Sequence, residues 1–265
     1  MITQHPKGLD EAFWIEITRG LNPTYTETHK FGTYEAVGTS FVPIARGGVY
    51  ATPIAATALE VVSTSANDDG SPAGTHAHEV TIIGLDSSWA EVSQTVTLNG
   101  TTPVALGTNL IRAYRMYVSI SGTYATQAAG SHEGAITLQE SGAGPAWLQI
   151  YATDFPRGQS QCAAYTVATG KTAVIIPHYI SVDSNKSADI VFFQRPLADD
   201  VTTPFTGIMR AGFELVGVSG LATLEDSSAP LGPYVGPCDV GFMGKVSGTT
   251  GSISANFEIV LYDTV

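Results

Sequence analysis

The stretch that decides the fold runs Thr172-Ala-Val-Ile-Ile-Pro-His-Tyr-Ile-Ser-Val182, turns through Asp183-Ser-Asn-Lys186, and resumes as Ser187-Ala-Asp-Ile-Val-Phe-Phe-Gln-Arg195. β-Branched and aromatic residues dominate both runs and a Ser-Asn-Lys turn parts them, so the segment reads as two strands. The same signature recurs on either side. Upstream lie Leu59-Glu-Val-Val-Ser63, Glu79-Val-Thr-Ile-Ile-Gly-Leu85 and Ala90-Glu-Val-Ser-Gln-Thr-Val-Thr-Leu98, bounded by Asn-Asp-Asp-Gly, Asp-Ser-Ser and Asn-Gly turns. Arg112–Ile120, Gly134–Gln139, Ala146–Tyr151 and Ala163–Val167 fill the middle, and Gly241–Val246 and Ser252–Tyr262 close the chain. Short strands spaced roughly ten to fifteen residues apart, without helices between them, predict an all-β antiparallel fold, a β-sandwich or jelly roll.

Outward from these strands the pattern weakens. Residues 8–21 place Leu9, Ala12, Phe13 and Ile17 at helical spacing, while Phe13, Ile15 and Ile17 fit a strand; a short helix is the expectation there. From Asn22 to Tyr50 the chain is rich in Thr, Tyr, Gly and Pro with no sustained period. It reads as an extended N-terminal arm laid over another surface. Asp199–Gly236, broken by Pro204, Pro230 and Pro233, reads as an irregular excursion with one hairpin around Phe213–Val218. The organisation expected is therefore an arm over 1–50, a main sandwich over 51–198, and residues 199–265 completing the same β-domain.

Composition removes several function classes. The 265 residues carry 12 Lys and Arg against 24 Asp and Glu, a formal charge of −12. Twelve scattered cations cannot neutralise a row of phosphates, so no nucleic-acid partner is expected. No apolar run reaches the roughly 18 residues of a membrane span, and Met1–Lys7 lacks the apolar core of a secretory signal. With 43% hydrophobic residues the chain is no disordered tail. Cys162 and Cys238 match neither a zinc spacing nor a disulfide framework; two buried thiols and synthesis in a reducing cytoplasm are the simpler expectation.

Chemistry is sparse. His76-Ala-His78 entering a strand is how many β-barrel metal sites begin, but the further Glu and His that a cupin requires are replaced by Ile82, Ile83 and Gln161. His76 and His78 are kept only as metal-ligand candidates, and no cofactor is expected. His178, following Pro177 in an apolar strand, reads as a half-buried histidine. Serine has no Gly-x-Ser-x-Gly elbow to activate it. The adjacent acidic pairs Asp68-Asp69, Asp199-Asp200 and Glu225-Asp226 sit beside turn residues, where carboxylates cap loops. Trp89, at a turn, is placed where it could face solvent; Trp147 alternates into a core. The chain is not expected to be an enzyme.

The order of these phrases carries a resemblance. Gly47–Ser63, Val80–Trp89 and Glu91–Val104 form one block; Gly158–Gln161, Tyr165–Ala173, Asn185–Pro196 and Val246–Tyr262 form another, with Lys30-Phe31-Gly32 ahead of both. Together they resemble virion structural proteins of tailed bacteriophages, from about Lys30 to the end of the chain. The resemblance implies assembly in the host cytoplasm, a place in the virion, and partners among the major capsid protein and other virion proteins; it transfers no catalytic residues. A homo-oligomer, a trimer at a threefold position, fits a decoration or cement role on the outer capsid. A negative charge suits an outer face better than one lining packaged DNA. Docking is expected through the aromatic residues of the arm: Phe13, Trp14, Tyr25, Phe31, Tyr34 and Phe41. The alternatives are a tail or fibre adhesin binding host glycan near Trp89, and, remotely, a cupin-like metal-binding protein.

Overall fold

The computed structural model describes residues 16, 19–22, 24–122, 131–154, 157–224 and 230–264. Among them nearly all the regular secondary structure is strand. In order these are β1 (Tyr25–Val37), β2 (Val42–Pro43), β3 (Leu59–Ser63), β4 (Ala77–Leu85), β5 (Glu91–Thr97), β6 (Val104–Ala105), β7 (Arg112–Ser121), β8 (Ile136–Glu140) and β9 (Ala146–Ile150). There follow β10 (Ala164–Val167), β11 (Lys171–Val182), β12 (Ala188–Pro196), β13 (Arg210–Val218), β14 (Gly220–Thr223), β15 (Leu231–Val235), β16 (Cys238–Val246) and β17 (Gly251–Asp263). Each ladder between these strands is antiparallel, as short strands with turn-rich connections require.

The ladders fall into two groups. Strands β3 to β9 pair only with one another, in a four-stranded sheet β6-β3-β8-β9 and a three-stranded sheet β5-β4-β7. The remaining strands make two five-stranded sheets, one of β1-β17-β11-β14 with β15 also on β11, the other of β10-β16-β12-β13 with β2 also on β16. The first group, the inserted sandwich, thus interrupts the second, the terminal sandwich, between β2 and β10. This grouping differs from a main unit over 51–198: the pairing changes hands between β9 and β10, and residues 199–265 complete the terminal sandwich alone.

Residues 25–37 are not an arm laid on a neighbour. They form β1, an edge strand that runs along β17 from Tyr25 opposite Tyr262 to Tyr34 opposite Ile253. Its side chains alternate, with Lys30, Gly32 and Tyr34 turned inward and Tyr25, Glu27, His29, Phe31 and Thr33 outward. Gly32 has to be glycine, because a Cβ there would stand 2.2 Å from the Ile44 carbonyl oxygen and 2.3 Å from the Ala163 nitrogen. The hairpin expected around Phe213–Val218 is also different: β13 pairs with β12 while β14 pairs with β11, so the chain changes sheets at Ser219. Gly217 and Gly220, at φ of 72° and 71°, allow that crossing. The helix expected over 8–21 lies outside the described residues, apart from Glu16 and Arg19–Leu21.

The core follows the period-two pattern. In the terminal sandwich Phe242 meets Phe192 and Phe257 edge-to-face, with ring centroids 5.2 and 5.6 Å apart. In the inserted sandwich Val61, Val80, Ile82, Ile136, Leu138 and Ile150 are fully buried. Trp147 is core, and both cysteines are buried and free.

Candidate interaction surface and the sandwich junction

Where the two sandwiches meet, several of the buried side chains are polar. Arg112, from β7, grips Asp239, from β16, with Nε donating to Oδ1 at 2.9 Å and Nη2 to Oδ2 at 3.0 Å. Its Nη1 donates to the carbonyls of Pro53 and Ile111, and Thr166 donates to Asp239, so both ions are satisfied although neither side chain is exposed. Nearby, Lys30 of β1 donates to the Tyr114 carbonyl of β7; burial holds its pKa down at about 8. The hydroxyls of Tyr114 and Tyr165 both donate to Glu91, and burial raises both phenols above their ordinary range. At a third point Arg46 meets buried Asp154 and covers the Tyr151 ring at 4.8 Å. Apolar packing alone would let the sandwiches slide; paired, directional contacts fix one arrangement.

The opposite character appears at the loop between β12 and β13. Leu197, Val201, Phe205, Ile208 and Met209 expose 54, 49, 49, 56 and 44% of their surface. The loop is nevertheless ordered from within. Asp200 Oδ1 accepts from the Thr202 amide at 3.0 Å, and Oδ2 accepts from the Thr206 amide and hydroxyl. These donors, the Thr206 hydroxyl first, hold the Asp200 carboxyl down at about 2. Arg195 Nε donates to the Gly207 carbonyl at 2.9 Å, and the Ala198 amide to the Pro237 carbonyl at 3.0 Å. A Cβ on Gly207 would lie 2.2 Å from the Leu197 carbonyl oxygen, so the loop closes on a glycine. An apolar surface on a braced loop is the form a protein contact takes. The sequence held the signal, five large apolar residues inside a Thr- and Asp-rich segment, but irregularity alone did not distinguish a braced loop with an apolar surface from a mere excursion.

The predicted docking residues do not make one patch. Phe13 and Trp14 lie outside the described residues. Tyr25 and Phe31 share the outward face of β1, where Tyr25 meets Tyr262 edge-on at 5.9 Å and Phe31 lies 5.4 Å from the His29 ring. Tyr34 points the other way and packs against the core. Phe41 is half-exposed at β2, with the Lys245 ammonium 4.8 Å above its ring.

Other candidates find local roles. His76 precedes β4, its Nδ1 3.0 Å from the Thr75 hydroxyl, and His78 Nε2 lies 2.7 Å from the Gly74 carbonyl. The two rings are tied to separate loop groups, and among the described residues no three His, Cys, Asp or Glu side chains converge as a metal site. Asp68 is buried and accepts from the Ser63 hydroxyl and from the amides of Ala77, Glu133 and Gly134, pinning three segments of the inserted sandwich. Trp89 is not solvent-facing. Its backbone, at φ of 61°, turns the ring inward beneath the Arg112 guanidinium, 4.8 Å away. Glu225 and Asp226 lie outside the described residues.

No family model matches the chain, and no curated protein does. Among solved structures, infectious bursal disease virus Gt strain aligns over 91% of this chain and 73% of the other at 10% identity, with a TM-score of 0.23. The VP2 subviral particle of the same virus aligns over 91% and 77% at 10% identity, with a TM-score of 0.18. Similarity this low carries no conclusion about this chain.

Proposed function

We propose that this chain is a structural, non-catalytic virion protein of a tailed phage, bound to the outer capsid as a decoration or cement protein. The observation that supports it most is the pairing of a braced apolar loop with a stiff body: Leu197, Val201, Phe205, Ile208 and Met209 stand out from a double sandwich locked at its junction by Arg112 and Asp239. A cement protein needs that combination, because it transmits load only if its contact surface cannot move relative to its core. The order of strand phrases along the sequence points to the tailed-phage family, and the formal charge of −12 suits an outer face. In this reading the loop docks on the major capsid protein, and the copies meet as a homo-oligomer, a trimer at a threefold position. The adhesin alternative loses its aromatic anchor, since Trp89 lies under Arg112.

The test is reconstitution. Particles depleted of this chain are mixed with the purified protein and heated, and release of packaged DNA is followed. Wild-type protein should raise the release temperature, and Phe205→Asp combined with Ile208→Asp should abolish binding without unfolding the chain. Equal reinforcement by the double variant, or none by wild type, would overturn the proposal.

A further inference from the structure

The outward face of β1 carries a feature that the docking reading leaves unused. Across the β1–β17 ladder His29 stands opposite Glu258, and Glu27 stands opposite Val260, one outward position further along. From the other side β11 bulges between Pro177 and Tyr179, which brings His178 to the same carboxylate. His178 Nε2 lies 3.7 Å and His29 Nε2 3.9 Å from Glu258 Oε1. Two imidazoles and a second carboxylate thus surround one half-buried carboxylate. Its other oxygen, Oε2, is buried and has no hydrogen-bond donor among the described residues. From the inserted sandwich, Arg115 of β7 is spent on the His29 carbonyl. Lys30 turns to the opposite face, towards Tyr114.

We propose that Glu27, His29, His178 and Glu258 form a proton-operated latch that holds edge strand β1 on β17 in mild acid and loosens it as the pH rises through neutrality. With a proton on the Glu258 carboxyl, the two facing carboxyls of the cluster carry a single negative charge. Without it, two carboxylates face each other diagonally across the ladder, and like charges on neighbouring strands repel. Burial and the neighbouring Glu27 raise the Glu258 pKa to about 7. The sign follows from linkage: a carboxyl whose folded pKa lies above its unfolded value binds its proton more tightly in the folded chain. Its contribution is therefore full below the ordinary carboxylate pKa and is lost as pH climbs to about 7. Among the described residues β1 has a ladder partner on one edge alone, its other edge being held at the Phe31 carbonyl by the Cys162 amide and at the His29 carbonyl by Arg115, so that loss is felt locally, as easier opening of the strand that carries Tyr25 and Phe31.

Hydrogen–deuterium exchange of the full chain tests this, read as protection factors so that intrinsic pH effects cancel. Between pH of about 5.5 and about 8, protection of the β1 amides should fall about fivefold or more, allowing for solvent screening of a half-buried group, while β4 amides stay level. In Glu258→Gln, which cannot lose a proton, β1 protection should no longer depend on pH. Should that variant fail to fold, Glu27→Gln should shrink the fall without abolishing it, because it removes the repulsion between the two carboxylates and leaves the burial of Glu258. An equal fall in β1 and β4, no fall in wild type, or an undiminished fall in the Gln variants would overturn the latch.

Discussion

The two sandwiches are built from strands of the same composition but close in different ways. The inserted sandwich pairs strands that follow one another within residues 59–150. The terminal sandwich is closed by the two ends of the described chain, with β1 laid along β17 over their length. One unit is assembled from local contacts, the other depends on joining segments far apart in sequence, and the second pays a larger loop-closure entropy before any pairing rewards it. The join between them carries the buried ion pair Arg112–Asp239, while the buried Asp68 is bound by hydroxyl and amide donors inside the inserted sandwich. The comparison teaches that polar pairs here act as fasteners between units whose own cores are apolar.

The comparison breaks most sharply at Arg112. Arg112→Ala leaves Asp239 buried without its counter-ion and should cost about 3–5 kcal/mol. Urea denaturation should then show two transitions in place of one, the terminal sandwich unfolding apart from the inserted one. Arg112→Met with Asp239→Leu, which removes both charges, should recover most of that loss. A smaller effect separates the units from the inside. Asp68→Ala strips the acceptor from three backbone amides and should cost roughly 2–3 kcal/mol. Exchange should rise in residues 63–78 and 133–136 and stay unchanged in β11 and β17. The smallest effect is at the loop between β12 and β13. Phe205→Asp with Ile208→Asp touches exposed positions and should move stability by no more than about 0.5 kcal/mol per site in denaturation, while removing the protein from particles.

What the sequence disclosed follows the same division. Leu59–Ser63 was legible to the residue, and β11 and β12 were legible within a residue or two, because alternation and turn chemistry act locally. β1 was hidden, since Tyr25–Val37 becomes a strand through its partner β17 and shows little alternation of its own. Trp89 misled for a related reason. A tryptophan in an Asp-Ser-Ser turn looks exposed until Arg112, supplied by another strand, closes over it. In two of the acidic pairs the expectation of loop devices matches the structure, since Asp68 and Asp200 both accept backbone amides. Tyr25 and Phe31 share a face while Tyr34 opposes them, a division that follows once the strand is known but not from a list of aromatics. The Glu258 cluster drew no attention in the sequence, because its members come from three strands.

The account rests on this chain being a stoichiometric part of a virus shell. The most direct measurement is its copy number in purified particles, by quantitative mass spectrometry against the major capsid protein. A number comparable to that of the capsid protein is the predicted result. A trace amount would move the chain to a tail or fibre, and absence from the particle would contradict the account outright.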